Sequence, residues 1–392
     1  MVVSDAAVAV RQSVKDIAFE FAADRAQRQA RTSLDPADFD RLAAAGVLRT
    51  GLPDSRGGLW VDTAQSARGI CEIYRTIAHG DPSVALVASM HPAVLAFWLA
   101  TRSVPEPDAH AWSEQRDRVF RAVEGGAWFG TITSEPGSGG DVMRTRAVAR
   151  ADLNGWRVEG QKHFGSGTGI SRFMLTTAVP EGAEEPDWFL VPMHGVHLDG
   201  SDGVRLVAAW DGHGMQATQS HALEFLACPA ERFAWPGHLR EVIATASPFF
   251  GLLFTGVVLG VVETAVDLAR GQLATRRDGL RPYEQVEWTQ AELEAWTLAQ
   301  VYEGALRALE SGSPSAGASL RAKTMGAQLA ESCLSRLCRV LGGGTFSRRS
   351  PIGNWFEDVR ALGFLRPPWG LAYDALLAET FEPTIGGQSA FS

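Results

Sequence analysis

The sequence changes character twice, at Gly125-Gly126 and near Trp235. Outside these points, apolar residues recur every three or four positions, which is typical of helices. Between them, short β-type runs alternate with turn residues. The pattern predicts an α+β fold with three parts: an N-terminal helical domain of residues 1–126, a central β-barrel or sandwich domain of residues 127–237, and a C-terminal helical bundle of residues 238–392.

Composition restricts the possible partners. The chain has 392 residues, of which 45% are apolar, so it can bury a sizeable core. Its formal net charge is −9, and like charges do not form blocks. We therefore expect no nucleic-acid partner and no strong attraction to anionic lipid.

Cysteine usage and apolar runs bear on the compartment. None of the four cysteines lies in a Cys-x-x-Cys pair, and we expect reduced thiols, no metal site and a cytoplasmic protein. The N-terminus lacks the pattern of a signal peptide. The longest apolar run, Pro248 to Val262, is too short to cross a bilayer, and it predicts a helix buried on all sides.

Two short segments in the β region combine glycines with hydroxyl residues. Residues 131–141 read Thr-Ile-Thr-Ser-Glu-Pro-Gly-Ser-Gly-Gly-Asp, and residues 160–167 read Gly-Gln-Lys-His-Phe-Gly-Ser-Gly. Glycine lets a backbone approach a flat ligand closely, and hydroxyl groups can bond to the edge of that ligand. The segments therefore indicate a planar heteroaromatic cofactor, although tight loops between strands would explain either one alone.

With these motifs in this order, the sequence resembles the acyl-CoA dehydrogenase superfamily over nearly its whole length. Ser134 to Asp141 is similar to the family's threonine-glutamate-proline-glycine signature, with serine in place of threonine. Further matches are Gly160-Gln161-Lys162, Gly214-Met215, Leu320 to Lys323 and Leu341 to Phe346. The resemblance implies that the C-terminal part is a four-helix bundle and that the protein binds a flavin, FAD or possibly FMN.

The resemblance also assigns residues to the cofactor. Phe164 would lie against the flavin ring and Ser166 would reach its N5 edge, as suits a ring stacked on a ring. A neighbouring subunit would hold the diphosphate and adenine end, so a homo-oligomer, a dimer or tetramer, is implied. The remaining predicted cofactor residues are Thr131, Thr133, Ser134 and Gly139 within the chain, and Arg281, Arg339, Gly342 and Gly343 from the neighbour.

The family's reaction needs a carboxylate base, and the sequence departs there. The turn that normally carries the glutamate reads Phe364-Leu365-Arg366-Pro367-Pro368-Trp369-Gly370 and contains no carboxylate. Arg366 and Trp369, with Gly140, are predicted to line the substrate pocket. Hydride transfer from a substrate, by default an acyl-CoA thioester, to flavin N5 is the first functional prediction, with the usual glutamate missing.

A second branch of the superfamily offers an alternative. Its members are two-component monooxygenases that receive reduced flavin from a partner reductase and use oxygen. Phe164 to Gly167 is similar to that branch, and His91 falls where some members carry a functional histidine. His91 is thus a candidate catalytic and pocket residue, but a hydrogen-bonded core histidine is the competing interpretation. An inactive flavin-binding scaffold is a third possibility.

Overall fold

The computed structural model describes residues 3–153, 155–312 and 315–381, and its first part is helical. Helix α5 is buried along nearly its whole length and forms the centre of this part. The helices are α1 (Asp5–Ala23), α2 (Arg25–Gln29), α3 (Pro36–Ala44), α4 (Thr63–Ala78), α5 (Pro82–Ala100) and α6 (Ala109–Glu124).

Aspartate caps fix where these helices begin. Asp35 and Asp81 each precede a proline at the first helical position, and each carboxylate accepts a backbone N–H of the first turn. Asp81 also accepts the Arg28 Nε at 2.7 Å, so one carboxylate both starts α5 and connects it to α2.

The central part is a closed barrel. Strand β4 pairs with β2 in parallel and with β5 antiparallel, while β2–β3, β3–β7 and β7–β5 pair antiparallel, so the path returns to β4. The strands are β1 (Phe129–Thr131), β2 (Val148–Asp152), β3 (Gly155–Gly165), β4 (Phe173–Pro180), β5 (Asp187–Pro192), β6 (Val204–Ala208) and β7 (His221–Arg232). Sequence analysis missed β6, which pairs with β7 at the edge and exposes four of its five residues.

The barrel has its own apolar core, separate from that of the helices. Inward-facing residues of several strands meet there, among them Val158, Met174, Phe189, Leu223 and Phe225. This arrangement follows from the two-residue period of strand side chains.

The last part is a helical bundle. Helices α7, α8 and α9 pack on one another, and α10 closes the group against α7 and α9. The helices are α7 (Leu239–Ala274), α8 (Pro282–Glu310), α9 (Ser315–Leu341), α10 (Pro351–Val359), α11 (Ala361–Phe364) and α12 (Trp369–Phe381). Because α4 and α5 also pack on α7, the N- and C-terminal helices share one apolar core. The predicted α+β fold class is confirmed.

Two helices, α5 and α7, have the length and apolar composition of membrane-crossing segments, and both are largely buried within the protein. The run from Pro248 to Val262 lies inside α7, whose 36 residues make it much longer than the run itself. The helix that contains the run is thus long and apolar enough to cross a bilayer by length and composition alone, although the run itself is not, and the prediction of a buried helix is confirmed for residues 251–262.

Candidate functional site

The two glycine- and hydroxyl-rich segments lie side by side at one end of the barrel. Thr131 faces Ser166 and Ser134 faces His163 in antiparallel bridges, and the His163 N–H donates to the Ser134 carbonyl at 2.7 Å. The sequence prediction that these segments form one site required this adjacency.

A buried ion pair joins the segments beneath the surface. Lys162 Nζ lies 2.6 Å from Glu135 Oε1 and also donates to Thr145 Oγ1 and the Thr177 carbonyl. Burial lowers the pKa of Lys162 to about 8, which still leaves it protonated at neutral pH. Burial opposes ionisation of Glu135, but the Lys162 ammonium and the N–H donors hold its pKa below the usual value. The pair is therefore ionic, and sequence analysis assigned it no role.

Phe164 is presented to solvent beside these segments. It adopts φ +60°, in the left-handed region, where β3 loses register with β7. The residue is 57% exposed, and the Trp210 ring lies 6.1 Å from the Phe164 ring at a steep angle. A large aromatic side chain held outward by a strained backbone is a feature typical of ligand sites.

The hydroxyls of the first segment differ in their availability. Thr131 Oγ1 donates to the Leu175 carbonyl at 3.3 Å, and Ser134 Oγ accepts the Arg366 Nη2 at 3.2 Å. Thr133 is a buried residue, but its hydroxyl is not among the buried unpaired atoms, and it makes no hydrogen bond with any part of the chain that the structure describes. Thr133 is thus free to bond a ligand.

Ser166 begins a chain of hydroxyl groups whose direction is fixed. Thr218 Oγ1 donates to the Met215 carbonyl at 2.8 Å, and contacts of 2.7 Å join Thr218 to Ser220 and Ser220 to Ser166. Because a carbonyl only accepts, we assign Ser220 as donor to Thr218 and Ser166 as donor to Ser220. Ser166 therefore offers lone pairs, not its proton, to the site.

The same network continues into the C-terminal helices. The Met215 N–H donates to Asp358 Oδ1 at 2.6 Å, across the boundary between the barrel and α10. Burial raises the pKa of Asp358 to about 7, since no cation of the described residues lies within 4.0 Å of its oxygens.

The turn of residues 365–368 closes over the first segment. Gly140 has φ +84°, and a Cβ there would come within 2.6 Å of Pro368 Cγ, so only glycine permits the approach. The neighbouring Gly139 has φ +64° and open space around it. The loop thus packs against the turn at Gly140 and leaves room for a ligand at Gly139.

Arg366 reaches from this turn onto the loop. Its guanidinium donates to the Gly140 carbonyl and the Ser134 hydroxyl, and burial lowers its pKa to about 10. Lys323 on α9 anchors the turn by donating to the carbonyls of Leu365, at 2.7 Å, and Pro367. Burial lowers the pKa of Lys323 to about 8.

His91 is a core residue, and its assignment as catalytic and pocket-lining is corrected. It is fully buried; its Nε2 lies 3.1 Å from the Leu48 carbonyl and its Nδ1 accepts the Phe129 N–H. Both nitrogens are therefore used by the backbone. Burial lowers the pKa of His91 to about 4, so the ring is neutral at physiological pH.

The remaining predicted residues lie in two other places. Trp369 packs against Gly363 and stacks with Tyr373 at 6.2 Å, next to the turn that carries Arg366. Arg281 is exposed at the start of α8, and Arg339 lies 3.4 Å from Glu287.

Arg276 connects the start of α8 with the end of α9. It bonds Glu284 at 2.8 Å and the Val340 carbonyl at 2.7 Å, just before Gly342 and Gly343, around which space is open. The four residues predicted to serve a neighbouring subunit thus share one end of the bundle, and their role stays a prediction. Over the described ranges, no three His, Cys, Asp or Glu side chains are grouped to hold a metal ion.

Residues 130–228 match the family model described as "Acyl-CoA dehydrogenase, middle domain". Over these residues, the central barrel is similar to an acyl-CoA dehydrogenase middle domain. This match covers the barrel and both glycine- and hydroxyl-rich segments. The predicted resemblance to the acyl-CoA dehydrogenase superfamily is confirmed.

Curated relatives extend the similarity over most of the chain. The amino sugar nitrososynthase DnmZ of Streptomyces peucetius is 27% identical over 84% of this chain and 82% of its own. Dibenzothiophene monooxygenase of Mycolicibacterium goodii is 27% identical over 66% and 60%, respectively. The putative acyl-CoA dehydrogenase YdbM of Bacillus subtilis is 24% identical over 95% and 96%. By their names, these relatives are a nitrososynthase, a monooxygenase and a putative dehydrogenase, and the chain is similar to each of them.

A solved structure agrees in fold. The structure of KijD3 in complex with FMN and a dTDP-linked amino keto sugar superimposes with a TM-score of 0.80, at 20% identity, over 96% of this chain and 94% of that one. At this identity the comparison supports the fold alone.

The residues present suit a flavin. A ring lying beside Phe164 would meet the free Thr133 hydroxyl, the lone pairs of Ser166 and the open space at Gly139. This donor and acceptor set matches the edge of an isoalloxazine ring, which carries both kinds of group.

Proposed function

We propose that the protein is a flavin-dependent monooxygenase of the two-component type, which binds reduced flavin and oxygenates an organic substrate. Arg366 is the observation that carries the proposal. It occupies the turn where a dehydrogenase needs a carboxylate, and a guanidinium stays protonated and cannot accept a proton from carbon.

Among the residues that the structure describes near the turn, the candidate proton acceptors are engaged by other groups. The Asp141 carboxylate, which acts on Arg366 from a distance, accepts the Met143 N–H at 2.9 Å. Lys323 is engaged with two carbonyls, Lys162 is paired with Glu135, and His91 is sealed in the core. Hydride transfer from an acyl-CoA thioester, the first prediction from sequence, is therefore the weaker of the two proposals.

The chain's own residues would perform binding and orientation. Phe164 would support one face of the ring, Thr133 would bond its edge and Ser166 would accept a ring N–H. Bound reduced flavin would supply two electrons, with which one atom of O₂ enters the substrate and the other becomes water. A separate flavin reductase is the proposed source of reduced FMN or FAD.

Flavin binding is the first test. We expect purified protein to bind FMN or FAD, measured by quenching of flavin fluorescence, and the double variant Phe164→Ala/Ser166→Ala to bind at least about tenfold more weakly. Phe19→Ala, which truncates an exposed phenylalanine on α1, is the matched control and should change nothing. Unchanged affinity in the double variant would remove these residues from the site.

A second test separates the two reactions. Protein loaded with oxidised flavin is mixed anaerobically with a panel of acyl-CoA thioesters, and the visible flavin absorbance is followed. We expect no bleaching. With reduced flavin from a reductase and NADH, the protein should retard the release of hydrogen peroxide relative to free reduced flavin. Bleaching by a thioester without a reductase would favour the dehydrogenase instead.

The cluster of Arg281, Arg339, Gly342 and Gly343 is proposed to contact the flavin of a neighbouring subunit. Its position at one end of the bundle, with open space at both glycines, supports this role. If it is right, Arg281→Gln should weaken FAD binding more than FMN binding, because only FAD has the adenine end.

A further inference from the structure

Arg366 is a partly buried cation without a carboxylate partner among the described residues. Its nitrogens donate to a carbonyl and a hydroxyl, and no carboxylate oxygen of the described residues comes within 4.0 Å. A charge removed from water is costly unless a counter-charge or several polar groups compensate it. The residue is therefore held in a position that a negative charge would make more favourable.

The surrounding charges do not cancel it. On the loop, Asp141 acts on Arg366 from a distance, and its carboxylate accepts the Met143 N–H at 2.9 Å. On β3, Lys162 is neutralised by Glu135. On α9, Lys323 adds a second cation behind the turn. The net charge of Arg366 and these four neighbouring groups is therefore positive at neutral pH.

The position of this charge is fixed, not mobile. Lys323 anchors the backbone on both sides of Arg366, and the contact between Gly140 and Pro368 closes the turn on the loop. The guanidinium bonds Ser134, one of the predicted flavin contacts. Because this charge is already in place before a cofactor binds, it can act on the cofactor without a free-energy cost of rearrangement.

We propose that Arg366 stabilises the negative charge that a flavin ring acquires on reduction, so that the site favours reduced over oxidised flavin. Two-electron reduction of the neutral ring with uptake of one proton leaves one negative charge, which Arg366 would face. This inference rests on the proposed flavin binding. A carboxylate in the same turn would act in the opposite direction and would disfavour the reduced, negatively charged ring.

The test compares affinities for the two redox forms. Dissociation constants for oxidised and reduced FMN are measured anaerobically for wild type, for the neutral variants Arg366→Gln and Arg366→Met, and for the charge-keeping variant Arg366→Lys. The control is Arg360→Gln, which changes an exposed arginine between α10 and α11 that pairs with Glu357. Circular dichroism reports folding.

We expect each neutral variant to lose about tenfold of its preference for reduced FMN, which corresponds to a midpoint potential lower by about 30 mV. Arg366→Lys should keep most of the preference, and Arg360→Gln all of it. Two neutral variants are used so that one misfolded protein does not decide the result.

The outcomes separate this inference from the proposed function. If wild type binds neither form of flavin, the proposed function fails. If wild type and a neutral variant bind both forms with the same ratio of affinities, flavin binding stands and the role of Arg366 is overturned. If Arg366→Lys loses as much preference as the neutral variants, charge is not the cause and the inference also fails.

Discussion

The barrel half and the C-terminal half of the site treat buried charge in opposite ways. In the barrel half, Glu135 and Lys162 meet each other at 2.6 Å, and their remaining bonding capacity is filled by Thr145, Thr177 and backbone N–H groups. In the C-terminal half, Lys323, Asp358 and Arg366 each lack an ion partner among the residues that the structure describes.

The pKa directions express this difference. Burial shifts the pKa of each C-terminal group in the direction that favours its neutral form. The shift is upward for Asp358 and downward for Lys323 and Arg366. In the barrel half, the pKa of Glu135 falls in spite of burial because Lys162 is in contact. Burial lowers the pKa of Lys162 to about 8, as it does for Lys323, so the two halves differ in their carboxylates and not in their lysines. The barrel half is thus a completed structural support, whereas the C-terminal half keeps an unbalanced charge for a ligand to meet.

The largest expected effect comes from breaking the completed pair. Lys162→Met should lower the free energy of unfolding by about 3–5 kcal/mol, because it leaves Glu135 buried without its counter-charge. Urea unfolding measures the change. The matched control is the double variant Lys162→Met/Glu135→Gln, which should recover part of the loss. A cost below about 1 kcal/mol for the single variant would mean that the pair does not support the site.

A smaller effect is expected for the lysine of the other half. Lys323→Met should cost about 1–2 kcal/mol, since it removes donors from two carbonyls but leaves no carboxylate behind. The same urea experiment compares it directly with Lys162→Met. Equal losses in the two variants would contradict the contrast between the halves.

The smallest effect concerns the pH dependence of stability. The pKa of Asp358 is raised to about 7, so wild-type stability should fall as pH rises from about 4 to about 7, where the unfolded chain ionises this group first. Asp358 borders a cleft, so we expect a modest effect. Asp358→Asn should gain about 1 kcal/mol relative to wild type at pH 8 compared with pH 5. Thermal unfolding at both pH values measures it, and a gain that is equal at both values would exclude the raised pKa as the cause.

Local pattern predicted much of the fold and part of the site. Helix periods, aspartate-proline starts and the β runs predicted the three parts in order, and the two segments of the site do meet. Strand β6 was missed because most of its side chains are exposed, which leaves little alternation to detect.

The chemistry of the site could not be predicted from local sequence patterns, because the interacting residues are far apart along the chain. Alternation along β3 puts Lys162 on the same face as the buried Val158, a signal that it needed a partner, but nothing local identifies Glu135. The bond from Arg366 to Ser134 spans 232 residues, and His91 is recognised as a core residue by its contacts with Leu48 and Phe129.

The row of hydroxyls behind Ser166 has a consequence for redesign of the pocket. Its orientation is imposed by a carbonyl three groups away, at Met215. Replacing Ser220 by alanine would release the Ser166 hydrogen to rotate forward, converting an acceptor into a donor without altering any wall of the pocket. Whether Ser166 donates or accepts a hydrogen bond in the pocket is thus determined by Ser220, which lies behind it. Substituting Ser220, and not Ser166, is the way to invert the polarity of this contact.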